Sequence, residues 1–592
     1  MPGDAGMTLD LTGRTPLSPD HAKMLNALAV ELRPRIVELV DQLSLKRVDD
    51  IDWWVTPLAS RNPFASRLFL SGCRIALLDS LLAMHKVPAE VWVDSPAMAD
   101  LASRLGSRHG VRLRVRITWS QYLRDAVWHP ARNLLTSLFH AVMQFTCAKL
   151  LLPHPATPSG FPLVLVDTFL YSGSVRDGVF HDRHFPGIAE YLTVEELARL
   201  RYFPTFYKVR NYAKAFYRLR GLRGSFLFKE DHLRLCDYFY AFGHGFRVGR
   251  IRQGETLMLN GLALNALMRE ELRRGWMWPS AIEALLKYRA IRQMSEAGIR
   301  IERVLDWFEN QDIDRGANAA YRRYFPDAEV VGYIGYVASQ HYLCMYPSPA
   351  EKTAQVLPTR LAVMGQGFVD IIREFCPDFV VDVAPALRYA EQATSSGRVP
   401  AGDALTILVA LPVVRQEALE IMEAIRLMLQ GIAGTPLSAG KVHVYVKPHP
   451  ASDIPRGDTL GLASDSGMDV TWVSDRLDRL LLQADVLVSA ASSACFEALT
   501  MGVPVVVFGS SHGLTCVPIP SAVSQERWQV CYSWMEMLSA IIAFRADRGA
   551  DATKHIEAGK QLRQRYMEAV SKIEVRRLVI GIEAKDNWGV PA

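Results

Sequence analysis

At 592 residues the chain is longer than one hydrophobic core serves, so two or three domains are expected. A hydrophobic share of 49% with only 22% charged residues excludes a disordered chain. The 67 basic residues exceed the 62 acidic ones by five, and without a long basic run or a reader motif that excess does not point to nucleic acid.

Eight cysteines with no CxxC, mostly inside apolar stretches, read as buried free thiols of a reducing compartment. The opening MPGDAGMTLDLTGRTPLSPD lacks the basic start and apolar core of a signal peptide, and a cytoplasmic location is expected.

In chain order, strands are predicted at 51–56, 90–94, 113–118, 162–166, 303–308 and 330–334. Helices are predicted at 65–84, 98–105 and 281–297. The alternation implies a mostly parallel sheet with helices on both faces. The segment 133–152 is long enough to suggest a membrane span, but His140, Gln144 and Lys149 trace one flank of a helix. It reads as an amphipathic helix, packed in the N-terminal domain or lying on a membrane surface. Between 178 and 277 the pattern turns aromatic, basic and irregular, as in an insertion or a lid-like acceptor region. Within it, 199–223 suits either an anionic partner or a solvated helix.

A break is expected at 339–358, giving domains 1–345 and 346–592. A second series of strands follows at 360–364, 404–411, 442–446, 470–473, 486–489 and 505–508, with a helix at 416–429. The run 551–583 reads as a closing helix that crosses back to the first domain.

The densest chemistry lies in 442–509. VHVYV ends in KPHP, and VLVSA ends in two serines that open a short helix closed by Gly502. Strand ends are where an open α/β sheet binds ligands. Free N–H groups, the helix dipole and the hydroxyls of Ser492 and Ser493 suit a phosphate, although either serine could be a plain N-cap. Lys447 adds a point charge, and His449, held by Pro450, an N–H donor. Glu497 stands one turn beyond the serines, placed for a ribose or for solvent.

This order of strand, KPHP, strand, SS, short helix, GxP and strand resembles bacterial GT-B glycosyltransferases that use cytidine nucleotides. These are the sialyl- and polysialyltransferases and the capsule transferases for 3-deoxy-D-manno-octulosonic acid (Kdo); CDP-glycerol transferases share the pattern. The upstream segments VDTFLYSGSVRDGVFHDRHFPG and DWFENQDIDRGANAAYRRYFPDAEVVGYIGY resemble bacterial surface-carbohydrate biosynthesis proteins. The resemblance implies two facing Rossmann-like domains, with the donor phosphate held by His449, Pro450, Ser492 and Ser493. It also implies a C-terminal nucleotide domain and a glycan or lipid-linked glycan acceptor, while the helix at 133–152 and the basic stretch 199–223 allow peripheral membrane contact.

Inverting transfer needs a base for the acceptor hydroxyl. Asp167 and Glu309 each follow an N-terminal strand and could point into the cleft, or could pair with Arg176 and Arg315. Asp177 and Asp182 look like turn chemistry. Leaving-group charge would fall on Lys447, His449, Ser492 and Ser493, with no metal or other cofactor beyond the CMP-activated sugar. The DxD pairs at 50–52 and 312–314 lie outside the donor half. The expected activity is metal-independent, inverting transfer of a nonulosonic acid or Kdo-type sugar from its CMP ester. The alternatives are a CDP-glycerol-type transferase, a UDP-sugar transferase or epimerase, and an inactive scaffold. No strand is followed by GxGxxG, so a nicotinamide enzyme is not expected.

Overall fold

The computed structural model describes residues 8–153, 161–251, 257–391, 404–432, 435–450, 454 and 469–581. The end of the predicted 551–583 helix and the stretch just after KPHP lie outside the described residues.

Three parallel sheets organise the chain. The first is small: β1 (Thr8–Asp10), β2 (Glu90–Val93) and β3 (Val115–Ile117), side by side in that order. The helices Pro19–Ser44 and Leu68–Ala83 pack with it around Leu25, Leu32, Leu77 and Val91. The strands near 90 and 115 therefore form a sheet of their own, apart from those that follow.

The second sheet holds β4 (Leu163–Leu170), β5 (Leu200–Phe206), β6 (Ile301–Trp307), β7 (Glu329–Ile334), β8 (Arg360–Val363) and β9 (Val381–Val383), in the spatial order β9-β8-β7-β6-β4-β5. The third holds β10 (Leu405–Ala410), β11 (Val442–Lys447), β12 (Asp469–Trp472), β13 (Val486–Ser489), β14 (Val505–Phe508) and β15 (Trp528–Cys531), in the order β12-β11-β10-β13-β14-β15. That is the doubly wound 3-2-1-4-5-6 order, whose direction reverses between β10 and β13. In the second sheet the reversal falls between β4 and β6. The α/β class with two parallel sheets, expected for a GT-B protein, is what the structure has.

Three elements differ from the sequence reading. Of the predicted strand 51–56, Ile51–Trp54 is helical, because Asp50 accepts from the backbone N–H groups of Asp52 (3.1 Å) and Trp53 (3.3 Å), and the Trp53 indole donates to Ser44 Oγ at 3.0 Å. Residues 360–363, expected to open the second series, pair with β7 in the second sheet, so the change of sheet falls between Val383 and Leu405. The irregular 178–277 stretch contributes β5; its Pro204 would break an inner ladder but is tolerated because β5 is an edge strand.

The C-terminal helix Trp534–Tyr566 starts against the third sheet through Met537 and Ile541. It ends with Tyr566 so close to Gly365 and Gly367 that a Cβ at either would collide with it. That close approach accounts for the GQG after β8. The helix Lys572–Ile580 then buries Val575 and Val579 against Leu305 and Val331 of the second sheet. Two helices, rather than one, make the expected return crossing. On the opposite flank the N-terminal unit is tied to loops of the third sheet, Leu17 N–H donating to Ser511 O (2.8 Å) and Thr515 N–H to Asn26 Oδ1 (2.6 Å).

Candidate active site between the two large sheets

The reversal point of the third sheet is stitched by Ser489, whose hydroxyl donates to Ala410 O at 2.6 Å. Beyond it the chain turns through Ser492 and Ser493 into the seven-residue helix Ala494–Thr500. Ser492 Oγ accepts from Ala494 N–H at 3.4 Å, a local cap, whereas the Ser493 hydroxyl donates to Glu497 Oε1 at 3.2 Å. The N-cap position itself falls to Ser493, whose side chain makes no capping bond. Burial pushes the Glu497 carboxyl above its usual range, against the pull of Arg388 and Ser493.

KPHP leaves the end of β11 as expected. Lys447 Nζ donates to Asp475 O at 2.5 Å, and Pro450 is exposed. The His449 imidazole is pulled down to about 4, first by burial and then by Arg183, Lys208, Arg388 and Lys447. Arg183 follows β4 and a short hairpin, Lys208 follows β5, Arg388 lies in the connection between the large sheets, and Lys447 ends β11. Cations from both sheets and their linker therefore lie within electrostatic reach of one imidazole and oppose its protonation.

Three of these cations are braced by aromatic rings of the second sheet. Arg183 stands 5.6 Å from the Tyr171 ring, Lys208 5.6 Å from Tyr207 and Arg388 5.9 Å from Trp307. His184 shares a 3.1 Å hydrogen bond with the Tyr171 hydroxyl and is pulled down to about 3 by burial, Arg388 and Arg183. Beside them a cavity of about 580 Å³ opens between the sheets, lined by Asp182, Arg183, Glu190, Arg388, Arg476 and Glu497.

The two carboxylates proposed as bases part company. Asp167 is not at a strand end: β4 runs on to Leu170, and Asp167 is buried mid-strand with Lys287 Nζ 2.5 and 2.6 Å from its oxygens. It forms a buried ion pair, with Lys287 in place of the expected Arg176, which donates to Gly173 O instead. Glu309 lies just past β6, half-buried, where its carboxylate accepts from the Trp307 indole at 2.9 Å and from the Gln311 amide. Burial raises its pKa, opposed by Trp307, Gln311 and Arg388. Arg315 is engaged elsewhere, with Glu351 and Asn310.

The remaining acids have local explanations. Asp177 sits in a turn at φ 50°; buried Asp182, pushed up to about 6, accepts from His184 N–H at 2.8 Å and Phe185 N–H at 3.1 Å. Asp52 holds His244 and Arg247, both at 2.6 Å, and Asp314 accepts from the N–H groups of Glu309 (3.0 Å) and Gln311 (2.9 Å). Among the described residues no three His, Cys, Asp or Glu side chains gather as a metal site.

The structure thus brings Lys447 and His449 together, joins Ser493 to Glu497, and places Arg388 within electrostatic reach of His449, Glu497 and Glu309 alike. Sequence reasoning missed Arg388, Arg183 and Lys208 as a set, because they come from three separate loops. It also missed Glu417, which opens the helix Arg415–Gly431 beside Ala491 and is pushed up to about 7 by burial and by Glu420.

No family model and no curated protein matches the chain. Among solved structures, the glycosyltransferase of kitacinnamycin overlaps 71% of this chain and 99% of its own at 12% identity and a TM-score of 0.39. MurG of Acinetobacter baumannii overlaps 71% and 100% at 12% identity (TM-score 0.35), and the MnaA–UDP structure from S. aureus 70% and 95% at 11% (TM-score 0.38). Overlaps at this level decide neither family nor function.

Proposed function

We propose that this chain is a nucleotide-sugar-dependent glycosyltransferase of the GT-B type, working in the crevice between the two large sheets. The observation that carries the reading is the cavity of about 580 Å³ between the sheets, lined by Arg183 and Arg388 on one side and Arg476 on the other, with His449 within electrostatic reach of Arg183, Lys208, Arg388 and Lys447. Cations from opposite walls of a crevice are costly to hold together without an anion, and a nucleotide-borne phosphate supplies one of the right charge. KPHP and the serine pair favour a CMP-sugar of the nonulosonic or Kdo type, passed to a bacterial surface glycan. The eight unpaired thiols suit action in the cytoplasm.

In this reading the donor phosphate lies at His449, Ser492 and Ser493, with Lys447 and Arg388 neutralising the charge that grows as the glycosidic bond to phosphate breaks. Those cations do the work a divalent ion does in other transferases. Glu309, its pKa raised, takes the acceptor hydroxyl proton as that oxygen attacks the anomeric carbon from the face opposite the leaving phosphate. Thermal-shift titration with CMP, CDP, UMP and UDP tests the donor. Cytidine nucleotides should stabilise the protein more than uridine ones, and His449→Ala should abolish the shift. Equal shifts would remove the cytidine assignment; no shift with any of the four would remove the transferase.

A further inference from the structure

The helical stretch Trp119–Leu151 is turned inside out. It is long and apolar enough to span a membrane by length and composition. Three of its polar residues nevertheless face the protein: Ser137 and Gln144 are buried, Gln144 Oε1 accepts from Lys229 Nζ at 2.6 Å, and His140 lies 2.5 Å from the Tyr212 hydroxyl. Its apolar residues face out, with Leu135 68%, Phe139 59% and Val142 52% exposed. Phe239, 79% exposed, continues the face on the neighbouring helix Leu235–Phe242, and an apolar groove of about 320 Å³ runs between the two. An inverted face of this extent marks contact with something apolar.

The charges identify that partner. Every acidic side chain on these segments is turned inward and paired: Asp125 with Arg67 (2.5 Å), Glu230 with Lys229 (3.0 Å), Asp231 with Arg223 (2.8 Å) and Asp237 with Arg289 (2.6 Å). The basic residues Arg124, Arg132, Lys149 and Arg234 are exposed instead. From residue 200 to 229 the chain carries eight basic residues and no acidic one, and the helix Tyr212–Leu219 from this stretch adds exposed Lys214 and Arg218 beside the apolar helix.

We propose that this face seats the protein on an anionic lipid bilayer, the Trp119–Leu151 stretch lying in the plane of the interface with its apolar side in the acyl boundary and its basic rim among the headgroups. It does not span the bilayer, because its inner side is tied to the protein at Gln144 and His140. A second copy of the chain fits less well, since a two-fold contact would set this basic rim against an equally basic rim. The inference stands independently of the donor assignment. It also places a membrane near the cleft, since Tyr207, which braces Lys208, lines a cavity of about 230 Å³ behind the same helix.

Flotation of the full-length protein with vesicles of phosphatidylcholine alone, and of phosphatidylcholine mixed with phosphatidylglycerol, tests this. Binding is expected to the mixed vesicles, weakening with salt, and Arg124→Glu with Arg132→Glu should reduce it by about fivefold or more per arginine. Phe139→Glu with Phe239→Glu should abolish it while leaving the melting temperature in solution unchanged, since both rings are exposed. Failure of the wild type to float with either vesicle overturns the proposal. So does a solution dimer, seen by light scattering, that the phenylalanine variant dissolves.

Discussion

Lys287 Nζ stands 2.5 and 2.6 Å from the two oxygens of Asp167, with both side chains buried beneath the second sheet. Removing the lysine as Lys287→Met strands a carboxylate near Asp306 and should cost on the order of 3–5 kcal/mol in urea unfolding. Asp167→Asn should likewise lose stability, yet its folded fraction should keep transferase turnover. A stable Asp167→Asn protein without turnover would return this residue to the reaction.

Glu309→Gln keeps an acceptor for the Trp307 indole but removes the carboxylate proposed as the base. Turnover is expected to fall by roughly 10²-fold or more, with the nucleotide-induced thermal shift unaltered. A parallel loss of the shift would instead assign Glu309 to donor binding.

Arg388 is one of the cations that hold down the His449 imidazole. In Arg388→Ala the imidazole pKa should rise from about 4 toward the usual histidine range, a direction that NMR titration of the ring reads directly. The same variant should weaken nucleotide binding, because Arg388 also faces Glu497 and the 580 Å³ cavity.

Glu417 gives a pH dependence with a definite sign. Its carboxyl is raised to about 7, so between its unfolded value near 4.5 and pH 7 the folded state binds more protons than the unfolded one. This group's contribution to stability therefore falls as pH rises through that window. Glu417→Gln should remove that loss, making the variant more stable than wild type at pH 8 by about 3 kcal/mol and much less different at pH 4.5. Denaturation at both pH values checks this; an equal difference at both would mean that proton linkage is not the cause.

Much of the donor half was legible because its signals are local. VLVS is an apolar run buried on both faces, VHVYV alternates buried valines with half-buried His443 and Tyr445, and Gly502 at φ 77° stops the short helix where it was expected. The strand at 51–56 was misread because IDWWVT carries a β pattern while Asp50 and Thr56 cap two short helices there. β5 was missed because its proline and basic residues are those of an edge strand, tolerated only through its place in the sheet. Asp167 and Glu309 looked equivalent because each follows an apolar run; the three further residues of β4 beyond Asp167 separate them.

The order of residues alone determined the α/β class, the two strand series and the gathering of Lys447, His449, Ser492 and Ser493 at strand ends, since periodicity and turn chemistry act over a few residues. Only the tertiary structure decided that Arg183, Lys208 and Arg388 meet His449, that Lys287 neutralises Asp167, and that the helix at 133–152 hides its polar side. Those outcomes depend on which distant loops and faces burial brings into contact, and a side chain's charge environment is set by neighbours that sequence separation does not reveal.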